Sequence, residues 1–521
     1  MDGIIKIEIN GIKIELPKGA TLNDAILAAD APYKKGNSIG ILKKSEIEQE
    51  ENVREYQIKT TAGELVIELF AKDSFSKKRW IELSKEYKNI PLRWISRDAV
   101  AFGPFVSDMV ATRETGTYDA YEILFAAGGG DPSNTHIIII KNKHSAEYGA
   151  PQEGAFGRVV SGKRVLDKLK KEDTIIEIKP VISWKQTGEH LLTTDLTTPL
   201  EDGDKVFTYL RVVISPESPL GAEHFFALIR NGSFKVDMVS SSFTADHRLV
   251  GELPTYENYE PRSRGSVFLR TVGYGAGKAF IATDDRTASI MHSVIGHVEE
   301  GMELVQMAEI GHQLLVYTTP SQIMLHGKRF LQAEKEMASY GVKLIRQGDT
   351  DDEALIVSQE PDTTIDILKE GSVKATGVRD SRIISIELYD EAAPKTIDFF
   401  RHAIGLQFRP VGILPLIMKY ENTYIFKAEK PAERYKEILP ENTPKEKVLS
   451  GEIGITNQAA KRMGMIGVKT KDDDMFGPTG EKFISTNIIG RILDIEKLQH
   501  FKEGDKIYVI ETKQEREEGD P

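Results

Sequence analysis

Ile5, Ile7 and Ile9 alternate with Lys6 and Glu8, and after Asn10-Gly11 the alternation resumes through Ile12, Ile14 and Leu16. A period of two places the apolar side chains of a strand on one face. Asn-Gly accepts the positive φ of a tight turn, so residues 4–17 are predicted to form a β-hairpin. Thr21-Leu22-Asn23-Asp24 then opens a helix, with Thr21 as its cap and Asp24 answering it from the first turn. From Lys43 to Glu55 the apolar positions thin out, as in a linker or a short solvated helix.

Beyond that stretch one order of signals recurs three times. An apolar strand comes first: Leu65–Leu69, Val212–Ile214 and Ile386–Leu388. An amphipathic helix follows, marked by Phe75, Trp80 and Leu83 in the first unit, by Pro219 and His224-Phe225-Phe226 in the second, and by Pro394 and Phe399-Phe400 in the third. Proline suits a first helical turn because its missing N–H would be unpaired there anyway. Each unit closes on a strand that leaves a glycine and enters a short helix, at Gly157-Arg158-Val159, Gly296-His297-Val298 and Gly490-Arg491-Ile492. The spacing from first to last landmark is similar, which predicts one fold used three times.

Between the second and third units, Phe330, Leu331, Ala333 and Met337 mark a helix over Lys328–Tyr340, stopped by Gly341. Strands at Val342–Ile345 and Leu355–Val357 and a helix at Thr364–Glu370 complete a small α/β insertion. The predicted segments are 1–50, 56–185, 203–327, 328–378 and 380–515, in an α+β, β-rich multidomain protein.

At 521 residues the chain exceeds what one core holds. Its formal charge of −12 argues against a chain-wide role on nucleic-acid phosphates. No apolar run approaches the ~18 residues of a membrane span, and the first residues lack the pattern of a signal peptide. A cytoplasmic protein is expected, with neither nucleic acid nor membrane as partner. The absence of cysteine removes disulfides, thiolate catalysis and cysteine-held iron–sulfur or zinc sites.

No cofactor and no metal are expected. The pairs His136/His144 and His292/His297 have spacings that put no two rings on one helix face, and no carboxylate cluster accompanies them. Gly128-Gly129-Gly130-Asp131-Pro132 suggests an anion-binding turn, but it lacks the Gly-Lys-Ser/Thr ending of a nucleotide loop, and Asp131 would repel phosphate. A tight surface turn and a protein-docking loop of Gly128, Gly129, Gly130, Asp131 and His136 are the competing readings. Gly273–Lys278 matches a dinucleotide fingerprint only superficially, since no helix follows it. Arg262 and Arg264 near Tyr256 and Tyr259 read either as an interface cluster or as a solvated loop.

The hairpin and helix at the start resemble the β-grasp fold of ubiquitin-like sulfur carriers and plant-type ferredoxins. Without a cysteine, that resemblance implies a docking module. The repeated units resemble cyclophilins, most fully in the second, through Pro219, Phe225-Phe226, Arg264-Gly265-Ser266-Val267 and His292-Ser293-Val294-Ile295-Gly296. The resemblance implies β-barrels and, in an active member, an arginine and a glutamine beside an apolar proline pocket. The arginine there favours the twisted amide by hydrogen-bonding near the proline nitrogen.

The family pattern Arg-x-x-x-x-Phe-x-x-Gln-x-Gly-Asp falls on Leu92–Phe105, Phe234–His247 and Phe408–Tyr420, and none carries the three side chains at that spacing. Lys278-Ala279-Phe280-Ile281 lacks a later glutamine, and Thr287 stands where the pocket tryptophan would be. His292 alone sits at the pocket histidine. The expectation is degenerate units with no catalytic residue and a vestigial pocket of His292, Phe280 and Arg264.

The opening hairpin with Leu16-Pro17-Lys18-Gly19-Ala20-Thr21-Leu22, the Gly128–His136 run and Phe156–Lys163 together resemble the methanogenesis marker protein 3 family of methane-metabolising archaea. The resemblance implies association with the machinery that reductively activates methyl-coenzyme M reductase, whose components carry iron–sulfur clusters and an ATPase. A non-catalytic scaffold or adaptor is expected. The alternatives are a divergent peptidyl-prolyl isomerase, with His292 or Arg264 as its polar group, and a binder of a small anion at the Gly128–Asp131 turn.

Overall fold

The computed structural model describes residues 3–43, 55–70, 74–84, 89–163, 165–181, 190–428 and 435–512. The linker predicted over 43–55 lies almost wholly outside these residues. The strands Ile4–Ile9 and Ile12–Pro17 form the predicted hairpin, with Ile9 paired to Ile12 across Asn10-Gly11. The helix Leu22–Ala29 starts at the predicted cap: the Asp24 carboxylate accepts from the Thr21 N–H at 2.7 Å, and the Asp24 N–H donates to Thr21 Oγ1 at 3.4 Å.

This first domain does not end near residue 50, as the sequence suggested. Its five-stranded sheet takes Ile39–Leu42 and then two strands from beyond the first barrel, His190–Thr193 and Lys205–Phe207. The free edge of Ile4–Ile9 is the physical reason. The Glu8 and Asn10 N–H groups donate to the carbonyls of Asp204 and Val206, at 2.9 and 2.8 Å. Asp204 is fully buried, and its carboxylate meets Lys43 at 3.2 Å. The first barrel is therefore an insertion within the β-grasp-like domain, and the second unit begins at Leu210 rather than at 203.

The first unit is a closed eight-stranded barrel and the third a closed seven-stranded one, whereas the second is an eight-stranded sheet that stops short of closure. Its edge strands, Ser233–Lys235 and Met238–Ser240, follow one another in the chain, and the Lys235 N–H donates at 2.8 Å to the carboxylate of Asp246, on the strand Phe243–Asp246.

One packing rule explains the glycine that ends each unit. Gly157, Gly296 and Gly490 pair with Leu69, Ile214 and Leu388, each the last residue of the strand before the unit's helix. A Cβ at these glycines would lie 2.7, 2.4 and 2.1 Å from the carbonyl oxygens of Glu68, Val213 and Glu387. Backbone cannot yield at such distances, so the position admits only glycine in all three units.

A second shared device was not visible in the sequence. In each unit a distant glutamate accepts from the first N–H groups of the helix, where unpaired donors and the helix dipole favour a carboxylate. Glu153 holds the Ser76 N–H at 2.9 Å, Glu257 the Leu220 and Gly221 N–H groups at 3.1 and 2.7 Å, and Glu441 those of Lys395 and Thr396 at 3.2 and 2.9 Å.

The insertion forms a three-stranded sheet of Lys343–Gly348, Ser372–Val378 and Leu355–Glu360, backed by helices Phe330–Ser339 and Thr364–Glu370. Its core starts before residue 328, because Ile323 and Leu325 pack into it. The Glu223 carboxylate, on the helix of the second unit, ties it down by accepting from the Thr364 N–H at 2.7 Å and from Gln322 at 2.8 Å. Burial holds this carboxyl above the usual range. The second and third units meet through His402 and Glu252, and through Arg230, which donates to the carbonyls of Leu406 and Gln407 at 3.3 and 3.2 Å.

Among the described residues no helix is long and apolar enough to cross a membrane. Nor do three or more His, Asp or Glu side chains among them converge as metal ligands.

Candidate functional site

The second unit carries the aromatic cluster to which the sequence pointed. The strands Ser266–Arg270, Ala279–Ala282 and His292–Glu300 are neighbours, and they pair Phe268 with Phe280 and Arg270 with His292. On the face turned away from the barrel core, Phe268 and Phe280 stack at 5.0 Å. The His292 ring stands edge-on to both, at 5.4 and 5.7 Å. Phe280 and His292 thus come together as the sequence suggested.

Arg264 does not join them. Its N–H donates to the Asp285 carboxylate at 2.9 Å, and its guanidinium lies 3.8 Å from Glu55 of the first barrel, so it belongs to the junction between units. Arg262 takes the place assigned to it. That guanidinium lies 5.3 Å from the centre of the Phe268 ring and 3.4 Å from His292 Nδ1, and it donates to the Thr287 carbonyl at 3.0 and 3.1 Å.

Arginine and glutamine do not recur here at the spacing of the cyclophilin pattern, and Arg262 comes from a different segment. With Phe243 at the phenylalanine of the cyclophilin pattern, Met238 falls on the arginine and Asp246 on the glutamine. Asp246 is fully buried and held by Arg248 at 2.6 Å. Burial, reinforced by Arg262 and Arg270, pushes the His292 imidazole down to about 4, so it is neutral near pH 7.

A folded-state value below the unfolded ~6.5 means that the unfolded chain binds more protons between those limits. His292 therefore costs stability progressively as pH falls from about 6.5 to about 4. Urea unfolding of the wild type should weaken more steeply over that window than that of His292→Phe, and parallel pH profiles would refute the assignment.

The first unit holds a different site, a cavity of about 570 Å³ lined by Arg93, Trp94, Arg113, His136, Tyr148 and the Gly128–Gly130 turn, among others. Arg93 escaped the sequence pattern for a local reason. The ladder between Ile90–Ile95 and Ala99–Phe105 shifts register between Leu92 and Trp94, so two successive residues, Arg93 and Trp94, both line the cavity. The connection between these strands, across 96–98, also breaks the spacing to the next aromatic.

His136 is buried, and its Nδ1 lies 3.0 Å from the Asn134 carbonyl. A carbonyl only accepts, so Nδ1 carries the proton and Nε2 is left as an acceptor. Burial, with Arg93 adding to it, holds this imidazole below its ordinary value. Asp131 turns away from the cavity, accepting from the Ser133 N–H and hydroxyl at 2.9 and 2.8 Å. Those bonds lower its pKa, and the repulsion expected of it is directed elsewhere. Tyr148 is fixed by its hydroxyl, 2.6 Å from His144 Nε2.

A "UPF0288 protein" of Methanosarcina mazei is 52% identical over 508 residues, spanning 98% of this chain and 97% of the relative. The chain belongs to the UPF0288 family. UPF0288 proteins of Methanothermobacter thermautotrophicus and Methanopyrus kandleri are 39% and 30% identical, each across 98% of this chain and 98% and 100% of their own lengths. Residues 384–512 match a family model described as a "Putative peptidyl-prolyl cis-trans isomerase domain". Among solved structures, a cyclophilin-type peptidyl-prolyl cis-trans isomerase of Cryptosporidium parvum is 18% identical, with a TM-score of 0.21, over 25% of this chain and 98% of that one. Cyclophilin AquaCyp293 of Hirschia baltica is 13% identical, with a TM-score of 0.19, over 27% and 80%.

Within this UPF0288 chain the segment matched by the isomerase model departs from the cyclophilin pattern at the same positions. Tyr420 pairs with Thr423 as Ser240 pairs with Phe243, so the pattern falls on Met418–Phe426 and not on Phe408–Tyr420 as the sequence suggested, with Met418, Thr423 and Phe426 at the arginine, phenylalanine and glutamine positions.

Proposed function

We propose that this UPF0288 protein is a non-catalytic scaffold or adaptor, of the methanogenesis marker protein 3 type, in the complex that reductively activates methyl-coenzyme M reductase. The reading rests above all on the second and third units, where methionine and not arginine occupies the position that polarises the proline amide. Three barrel-like units joined by hydrogen bonds and a buried His–Glu contact suit a body that holds several partners at once. The lack of cysteine suits a component that positions iron–sulfur partners and an ATPase and passes no electrons itself. Relatives in several methanogens accord with such a setting, and the cytoplasm is its proposed location.

Affinity capture of the tagged chain from anaerobic methanogen extract tests this proposal. Stoichiometric recovery of methyl-coenzyme M reductase with its activation components is the expected result. Recovery of the chain without them would overturn the proposal. One observation favours a second reading, a divergent prolyl isomerase: Arg93 lines the cavity of the first unit.

A further inference from the structure

We infer that the first-barrel cavity binds a small organic acid, a carboxylate or phosphate group with an N–H or O–H donor beside it. This inference is independent of the scaffold reading. Arg93 and Arg113 both line the cavity and are exposed, and among the described residues neither makes an ion pair. A guanidinium presents paired N–H donors in the geometry of a carboxylate or phosphate. Glu147, also on the lining, offsets one of the two charges and leaves the cavity cationic in a chain whose formal charge is −12.

The second observation is His136. The residue is 8% exposed, and its Nε2 has no hydrogen-bond partner among the described residues. With the proton on Nδ1, this nitrogen accepts and cannot itself hold an anion; it calls for a donor on the ligand. A buried acceptor left unpaired is costly to the fold, and a ligand N–H or O–H removes that cost. The requirement for a donor next to the acidic group comes from this atom.

The remaining walls agree with a small molecule. Trp94 and Tyr148 stack at 6.3 Å and offer a flat apolar side. Gly129 and Gly130 have positive φ, and nothing lies within 4 Å of where a Cβ would stand, so the rim is open. The volume of about 570 Å³ falls in the range of ligand sites, roughly 300–1,000 Å³.

The test uses the full chain with three probes: N-acetylglycine, which has an amide N–H beside its carboxylate, inorganic phosphate, and acetate, which at neutral pH has no donor. Binding is read by calorimetry and by the fluorescence of Trp94. Saturable binding of N-acetylglycine or phosphate, with acetate about tenfold weaker or worse, is expected. Arg93→Gln and Arg113→Gln, both at exposed positions, should each weaken binding about tenfold while leaving the unfolding midpoint unchanged. Preference for N-acetylglycine identifies a peptide's terminal carboxylate as the source, and preference for phosphate a phosphorylated metabolite. The inference is overturned if neither probe saturates, if acetate binds as well as they do, or if the arginine variants bind like wild type.

Discussion

Glu252→Ala should lower the unfolding free energy by about 3–5 kcal/mol and loosen the third unit from the second. Glu252 Oε1 lies 2.5 Å from His402 Nδ1, and the two side chains are only 6% and 9% exposed. The residues are far apart in sequence, so the contact is made by folding alone. His402 projects from the helix Pro394–Ile404, beside Tyr435 at 5.4 Å. Deleting the carboxylate takes this acceptor from a ring that is largely buried. Breaking one side of a buried pair costs more than replacing both, so the His402→Ala, Glu252→Ala double variant should be less unstable than the two single losses added together. Urea unfolding of the four proteins gives the coupling. Simple additivity would show that the pair stabilises nothing.

Trp80→Ala has an effect of similar size but a different reach. Trp80 is fully buried in the first barrel, 6.0 Å from Tyr56 in an edge-on contact, 5.4 Å from Phe156 and 6.3 Å from Phe125. Emptying this site should cost about 3–5 kcal/mol. The barrel has its own core and is threaded into the first domain by two connections, so the loss should appear as an early, separate thermal transition. Among the described residues the indole N–H has no hydrogen-bond partner. Trp80→Phe removes that unpaired donor and should cost clearly less than Trp80→Ala. A single cooperative shift of the whole chain would mean that the barrel is not an independent unit.

What was legible in the sequence is what local chemistry determines. The hairpin at Asn10-Gly11 and the Thr21–Asp24 box depend on residues within a few positions of one another, and both formed as expected. The three glycine landmarks were legible because close backbone approach tolerates no other residue. The completion of the first sheet was not, because Lys205–Phe207 is three residues long and is recruited by an open edge across a whole barrel.

The sites followed the same division. Phe280 and His292 lie on the two strands that flank Ser266–Arg270 and kept the order of the family pattern, whereas Arg264, two residues from Arg262, was carried by the turn at Gly265 to another surface. The sequence singled out Gly128–Gly130 and His136, which line the first-barrel cavity, but not the arginines beside them, because Arg93 and Arg113 come from other segments and a register shift hides Arg93 from any period-two reading. The helix-capping glutamates 153, 257 and 441 are equally non-local, since nothing near them in sequence announces the helix they cap.

A prolyl isomerisation assay of the full chain on a proline peptide, at substrate-level protein concentration, tests the non-catalytic reading most directly. Relaxation at the uncatalysed rate, tens of seconds or slower at 25 °C, is the expected result. Acceleration that disappears in Arg93→Gln would contradict it and would make the first barrel an isomerase.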